Sequence, residues 1–305
     1  MRLIVTGSAG FIGSILCRRA AEDGHVVLAL DDESRGLNPV WTFPGVDYRR
    51  FDCLAFPPPG IGAVDAVVHL AAGTGSLTRP LDELRRLNVT MTQRVFEGAL
   101  TLGAKVFAWP TTSLALEVPD SPYVQSKEEA LKWLLARPER KSVLPLRFFN
   151  VTGAYKGFSE FRQHEVHILP SLVAAYRNGT PFPINGADYH TADGTPSRDF
   201  VHVLDVVDYM LHWIERQAGG EAPVPGPDGA VWVGTGRATT VGQLIRLFQQ
   251  FIGPVQTAAF PRRAFDAGGL HCHPVQVAQL AAFRPPAPAW VGIRDEIDTL
   301  LSHKE

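Results

Sequence analysis

The chain is poor in cysteine, in net charge and in long apolar runs, and each shortage removes a class of protein. Its three cysteines, Cys17, Cys53 and Cys272, are scattered and odd in number. That excludes a disulfide framework and a paired metal-ligand set, so they read as reduced thiols, with Cys17 buried on the first helix. A formal net charge of −2 gives no electrostatic reason to bind nucleic acid or an anionic membrane surface. No apolar run approaches the roughly 18 residues of a membrane span. The first strand begins at Arg2 with no signal peptide before it, so a cytoplasmic protein is expected. His164, His167, His190, His202, His271 and His273 lack ligand spacing with cysteine or carboxylate partners on one element, and no metal site is expected. Internal repeats and low-complexity segments are absent too.

What is present fits a globular protein with a large core: 45% of 305 residues are hydrophobic and 20% charged, which allows one intertwined unit or two lobes. An apolar strand over 2–6 runs directly into Gly7-Ser8-Ala9-Gly10-Phe11-Ile12-Gly13. Gly7 suits the tight turn off the strand, Gly10 lets main chain approach a phosphate, and Gly13 permits close helix-on-strand packing. The helix that follows aims its amino end, with unpaired N–H groups and a positive dipole end, at the bound anion. Phe11, Ile12, Ile15 and Leu16 mark its buried face, Gly24 stops it, and 26–30 form a second strand closed by Asp31. A carboxylate there accepts ribose hydroxyls and repels a 2′-phosphate, which favours NAD, while nearby Arg35 keeps NADP open.

Strand and helix signals then alternate over 66–70, 81–102, 105–108, 126–135 and 143–147. Such alternation predicts an α/β protein, a Rossmann-type doubly wound parallel sheet with ligands at the carboxyl ends of its strands. After Gly153 the pattern loosens around Pro170, Pro181, Pro183 and Pro196, as expected of a smaller α/β substrate-binding lobe. The expected division is a dinucleotide-binding domain over 1–153, rejoined by 203–234, and a lobe made mainly of 154–305. Residues 219–229 read as a surface loop.

Tyr123 and Lys127 stand four apart, so one helical face presents both. A phenol of reference pKa about 10 acts as a base near neutrality only if its anion is stabilised, which an adjacent ammonium does. The bland alternative is a surface helix pair. Against it, Trp109-Pro110-Thr111-Thr112-Ser113 places hydroxyls at the carboxyl end of a central strand, beside the expected dinucleotide. Arg198, between Asp193 and Asp199 on a Gly/Pro-rich approach, reads either as an ion pair with one of them or as an anion-binding guanidinium.

These residues resemble the extended short-chain dehydrogenase/reductases, and within them the nucleotide-sugar 4-epimerases. The resemblance covers nearly the whole chain: the glycine loop, 31–36, Asp52, His69-Leu70-Ala71-Ala72, Asn88-Val89-Thr90, the Tyr123–Lys127 pair, 146–153, and 188–203. It implies a cofactor site of Gly7, Gly10, Phe11, Ile12, Gly13, Asp31, Leu70, Ala71, Ala72, Asn88 and Lys127, with Asp52 and Cys53 at the adenine. It implies a substrate site in which Asn150, Arg198 and Arg263 hold a diphosphate and Asp266 a ribose, with Phe265 to His273 beside the hexose. Thr111, Tyr123 and Lys127 would be catalytic. The implied reaction is a reversible oxidation: Tyr123 as phenolate takes the proton of the sugar 4-hydroxyl, Thr111 orients it, the C4 hydride goes to NAD, and a 4-keto sugar turns over before reduction. The resemblance also implies a homodimer, with helices from 84–102 and 130–135 pairing into a four-helix bundle.

Related chemistries lack their groups. Dehydratases need an Asp-Glu pair after the threonine, and decarboxylases a glutamate, where this chain has Thr112, Ser113 and Leu114; reductase-epimerases use a cysteine and histidine that fall elsewhere. Two departures keep a non-catalytic NAD-binding sensor open as the alternative. The resemblance implies serines where Trp109 and Pro110 stand, and Thr111 and Tyr123 are only 12 positions apart, roughly half the family's usual spacing. The sugar and the nucleoside diphosphate are left open.

Overall fold

The computed structural model describes residues 1–35, 38–40, 43–74, 79–160, 167–264 and 266–303. Gly36, His164 and Phe265, singled out above, lie outside the described residues.

In chain order the first half runs β1 (Arg2–Thr6), α1 (Phe11–Glu22), β2 (Val26–Asp31), β3 (Val46–Arg50), β4 (Ala66–His69), α2 (Leu81–Arg85), α3 (Met91–Thr101), β5 (Val106–Thr112), α4 (Pro122–Leu135) and β6 (Val143–Phe148). The second half runs β7 (Asn150–Thr152), α5 (Ile168–Asn178), β8 (Phe182–Asn185), β9 (Ser197–His202), α6 (Val203–Ala218), β10 (Val231–Val233), β11 (Ala238–Thr240), α7 (Val241–Phe251), β12 (Thr257–Phe260), β13 (Gly269–Leu270), α8 (Pro274–Phe283) and α9 (Ala289–Ser302).

Seven parallel strands form the main sheet in the order β10-β6-β5-β4-β1-β2-β3. The chain builds outward from β1 in both directions, so the order reverses between β1 and β4. A crevice opens at such a point, outside the carboxyl ends of the strands. The period of two along each strand sorts side chains between two cores. Leu3 and Val5 join α1 and α6 on one face; Ile4, Phe107 and Trp109 join α3 and α4 on the other. Residues 203–233 return to this sheet: α6 packs with α1, and β10 pairs β6.

Three local differences from the sequence reading have physical causes. The strand read over 105–108 continues to Thr112, because Pro110, which has no N–H to donate, is tolerated in a register with Leu146 of β6. The helical stretch over 81–102 contains a π-turn at Arg86–Thr90 between α2 and α3, a feature common where a side chain is needed at a site. The helix read over 126–135 starts at Pro122, a residue pre-set for a first helical turn, so Tyr123 lies inside α4. Beside the main sheet, β9 pairs β7, β11 and β13, β8 pairs β12, and α5, α7 and α9 supply a third core.

Candidate active site

The site grows from the turn after β1. Gly7 has φ +69°, and a Cβ there would come within 2.5 Å of Ala71 N; one on Gly13 would collide with Gly7 O. The turn and the first turn of α1 are therefore main chain packed on main chain. Gly10 opens α1 with no side-chain cap, leaving its first amides directed at the crevice. Asp31, at the end of β2, is 7% exposed. Its two oxygens accept the amides of Ala9 (2.9 Å) and Glu33 (2.8 Å). Burial raises its pKa above the usual carboxylate value against the lowering effect of those amides. The cradle and this carboxylate fit the pyrophosphate and a ribose of a dinucleotide.

One groove of about 670 Å³ joins this end to the rest of the predicted site. Gly7, Gly10, Phe11, Ile12, Gly13 and Asp31 line its first part, with Asp52 and Cys53 beyond β3 and Leu70, Ala71 and Ala72 beyond β4. Thr111, Tyr123 and Lys127 line its middle, and Asn150, Arg198, Arg263 and Asp266 its far end. Asn88 is the exception. It stands behind the wall, buried in the π-turn, where it bonds both Gly73 N (2.8 Å) and Gly73 O (3.0 Å) and donates to Ser126 Oγ (2.9 Å).

In the middle of the groove, Thr111 and Trp109 share the face of β5 that looks at α4. Thr111 Oγ1 donates to Glu128 Oε1 (3.3 Å), which also accepts Arg147 Nη2 (3.0 Å). Arg147, 1% exposed, is bound further by Asp228 and by the carbonyl of Thr112. Lys127 is buried, with Nζ 4.1 Å from the centre of the Trp109 ring, and burial pushes its pKa down to about 7. His69, read as a packed residue, bonds Thr6 Oγ1 at 2.7 Å; burial, then the charge of Lys127, pushes it down to about 3. An ammonium and a phenol four residues apart on α4, both opening into the groove, can hold and move a proton.

At the far end the alternatives left open for Arg198 resolve differently from either carboxylate named. Its Nη2 donates to Asp266 (2.6 Å), not to Asp193 or Asp199, and Nη1 donates to the carbonyls of Ser197 and Ala267 (2.8 Å each). Asp193 is held by Thr195, Thr240 and Arg246, and Asp199 by the Thr235 and Gly236 amides and Cys272 N. Neighbours along a strand point to opposite faces, so Asp199 cannot share a face with Arg198. Arg262 stacks on Tyr189 at 3.9 Å and bonds Asp188, which leaves Arg263 as the arginine of that pair on the groove wall.

Sequence reading missed Glu117, Glu128, Arg147 and the role of Trp109. Glu117 Oε2 accepts Gly268 N (2.6 Å) and Oε1 accepts Gly269 N (3.0 Å), tying the short segment after β5 to the loop carrying Asp266. A charged residue inside the apolar run of β6 was a signal for Arg147; nothing local signalled Glu117. Among the described residues no group of three metal-ligating side chains occurs, and no helix is long and apolar enough to cross a membrane.

Sheet order, glycine cradle and groove define a Rossmann-type dinucleotide-binding protein with a tyrosine–lysine pair beside the cofactor groove. A family model for the NAD dependent epimerase/dehydratase family matches residues 3–225, and the chain belongs to that family. It is 29% identical over 313 residues to a UDP-glucose 4-epimerase of Rhizobium meliloti, covering 93% of this chain and 92% of that one. Identity is 30% over 276 residues, 81% of each chain, to the UDP-glucose 4-epimerase of Rhizobium leguminosarum. Among solved structures, a UDP-glucose 4-epimerase from Stenotrophomonas maltophila with bound NAD and formylated UDP-arabinopyranose superposes with a TM-score of 0.85 at 20% identity, over 99% of this chain and 98% of that one.

Proposed function

We propose that the chain is an NAD-dependent 4-epimerase of a UDP-hexose, of the UDP-glucose/UDP-galactose type. The observation that carries this reading is the continuity of one groove from the glycine cradle, past Lys127 and Tyr123, to Arg198, Arg263 and Asp266. A dinucleotide-sensing protein needs only the first third of it. The relatives' activity and the NAD dependence of the family support the same reading.

NAD, when bound, supplies the hydride acceptor and then the hydride donor. The chain's own residues do the rest. Tyr123 as phenolate accepts the proton of the sugar 4-hydroxyl and returns it after the ring has turned. Lys127, charged in part near neutrality, stabilises that phenolate. Thr111, whose hydroxyl donates to Glu128, orients the sugar by turning that donor onto O4 while the 4-hydroxyl proton goes to Tyr123. Asn150, Arg198 and Arg263 hold the diphosphate, and Asp266 a ribose hydroxyl. Asp31, Asp52 and Cys53 hold the adenosine, while Asn88 sets the wall at Gly73. Glu117 supports catalysis over sensing, because it fastens the shortened segment that a mispositioned Thr111 would have left loose.

We assign residues 1–153 with 203–234 to cofactor binding and the rest of 154–305 mainly to the nucleotide sugar. The reading extends to a cytoplasmic homodimer serving galactose metabolism. Its contact would be polar, since Leu84, Val95, Phe96 and Leu134 are spent in the chain's own core and the outward rows carry Arg85, Arg94, Glu97 and Glu129. Co-purification of two differently tagged copies tests the dimer.

Incubation with NAD and UDP-galactose, followed by product analysis, tests the activity: conversion to UDP-glucose is expected. Failure to convert any UDP-hexose would return the sensor reading. Tyr123→Phe should keep NAD and lose turnover by about a hundredfold or more. Thermal stabilisation of the NAD-loaded protein by UDP-glucose, UDP-N-acetylglucosamine, UDP-glucuronate and dTDP-glucose ranks the substrates.

A further inference from the structure

Among the described residues Trp109 is the largest fully buried side chain, and it lies directly under the groove's central cation. Its ring is not free to turn. Nε1–H donates to Thr92 Oγ1 (3.2 Å), and that hydroxyl donates to the carbonyl of Asn88 (2.8 Å) in the π-turn. Phe107, two positions before it on the same face of β5, and Phe96 complete the aromatic layer. The indole therefore presents a fixed face to Lys127. Among the described residues the Lys127 ammonium has no hydrogen-bond or ion-pair partner; what lies against it is that ring, 4.1 Å from Nζ to the ring centre.

We infer that Trp109 is a positioning residue for the reaction: its indole face holds the Lys127 ammonium at the groove wall by a cation–π contact and so sets where that charge stands relative to Tyr123. The contact favours the charged amine over the neutral one, in opposition to burial, which has pushed Lys127 down to about 7. A desolvated contact of this kind shifts the protonation equilibrium by about tenfold. The other groups acting on this charge are Glu128 on α4, itself held by Arg147 of β6, His69 at the end of β4, and the Tyr123 phenol on the same helix face. Of these only Glu128 favours the ammonium electrostatically in the resting protein. Without the ring the amine would lose its proton near neutrality, and the phenolate its partner. That last consequence rests on the epimerase reading; the contact itself does not.

The test titrates Lys127 directly in the NAD-loaded protein, by NMR of lysine labelled with 13C at Cε, the signal being assigned by its loss in Lys127→Met. Trp109→Phe keeps a ring face and should titrate close to wild type. Trp109→Leu keeps apolar bulk and should titrate about one pH unit lower, a tenfold loss of proton affinity. A set of mono- to tetrafluorinated tryptophans installed at position 109 keeps the shape while draining the ring face of negative potential. The Lys127 midpoint should fall stepwise along that set, even if the leucine variant fails to fold. Midpoints unchanged across the fluorinated set would overturn the inference and leave Trp109 as packing alone. In turnover, the alkaline limb of the kcat–pH profile should move down in Trp109→Leu and stay in place in Trp109→Phe. If wild type turns over no UDP-hexose while the midpoints shift, the function falls and the cation–π contact stands without a role in turnover; if it turns over and the midpoints stay fixed, the function stands and the inference falls.

Discussion

The two ends of the groove are made of different materials. At the dinucleotide end the wall is main chain against main chain: Gly7 packs on Ala71, Gly13 on Gly7, and the Asp31 carboxylate is bonded by two backbone amides. At the end where the nucleotide sugar is proposed to bind it is side-chain charge. Arg198 meets Asp266 across 68 positions of sequence, Arg263 stands nearby, and a glutamate from a third segment grips the loop that carries Asp266. Steric walls tolerate almost no change but need no partner in order to form. Ionic walls are held by long-range pairs that a ligand's own charge can compete for, so they can be tuned for different sugars while the cofactor end stays constant.

The sharpest way to break this comparison is a single methyl group at the rigid end. Gly13→Ala places a Cβ on the Gly7 carbonyl, backbone on both sides with no flexible side chain to yield. A loss of about 2–4 kcal/mol in stability is expected, together with loss of NAD affinity, read by thermal unfolding and NAD titration. Wild-type NAD affinity in this variant would show that the cradle relaxes and that the contrast is false. A smaller effect is expected at the ionic end. Arg198→Met keeps the aliphatic stem and removes the charge, so a charged hydrogen bond of about 1.5–3 kcal/mol goes with it. KM for the UDP-sugar should rise roughly ten- to hundredfold while the NAD dissociation constant holds. A change in NAD affinity there would mean that the two ends are coupled.

The same contrast decides which parts of the molecule are legible in the amino-acid sequence alone. The cofactor end is written in contiguous sequence: three glycines within seven residues, a helix face, and a carboxylate one strand later, all local signals that periodicity and turn chemistry expose. The main sheet is legible for that reason, as is the return of 203–234 to the first domain, but not its pairing beside β6. Arg198 is legible as a candidate but not its partner, because Asp266 reaches it only when β13 pairs β9, and no spacing along the chain encodes that pairing. Trp109 and Pro110 read as departures from the family pattern. In the fold they lie on opposite faces of β5, and Trp109 takes a position under Lys127 that becomes visible only once α4 is laid over the strand. The π-turn around Asn88 escapes because a single turn with i→i+5 bonds shifts the apolar pattern by only one residue, too little to read within one helical stretch.

The segment between Thr111 and Tyr123 carries the smallest and most diagnostic prediction. Its shortness is one of the two departures that keep the sensor alternative open, and Glu117 is the answer the fold supplies, with two carboxylate oxygens on the consecutive amides of Gly268 and Gly269. Ser197 N bonds the carbonyl of Gly268 in turn, so one glutamate spans from the end of β5 to the strand that bears Arg198. The carboxylate is exposed, and screening by water limits such a contact to about 0.2–1 kcal/mol. Glu117→Gln retains an acceptor oxygen and loses the charge. It should therefore raise KM for the UDP-sugar by roughly two- to fivefold, with the NAD constant and unfolding temperature unmoved. Glu117→Ala should exceed it in the same direction. If instead kcat falls with KM unchanged, the clamp acts on Thr111 and not on the Asp266 loop. The ionic end would then reach into the chemistry, and the division between a rigid cofactor wall and a tunable sugar wall would have to be drawn on the other side of β5.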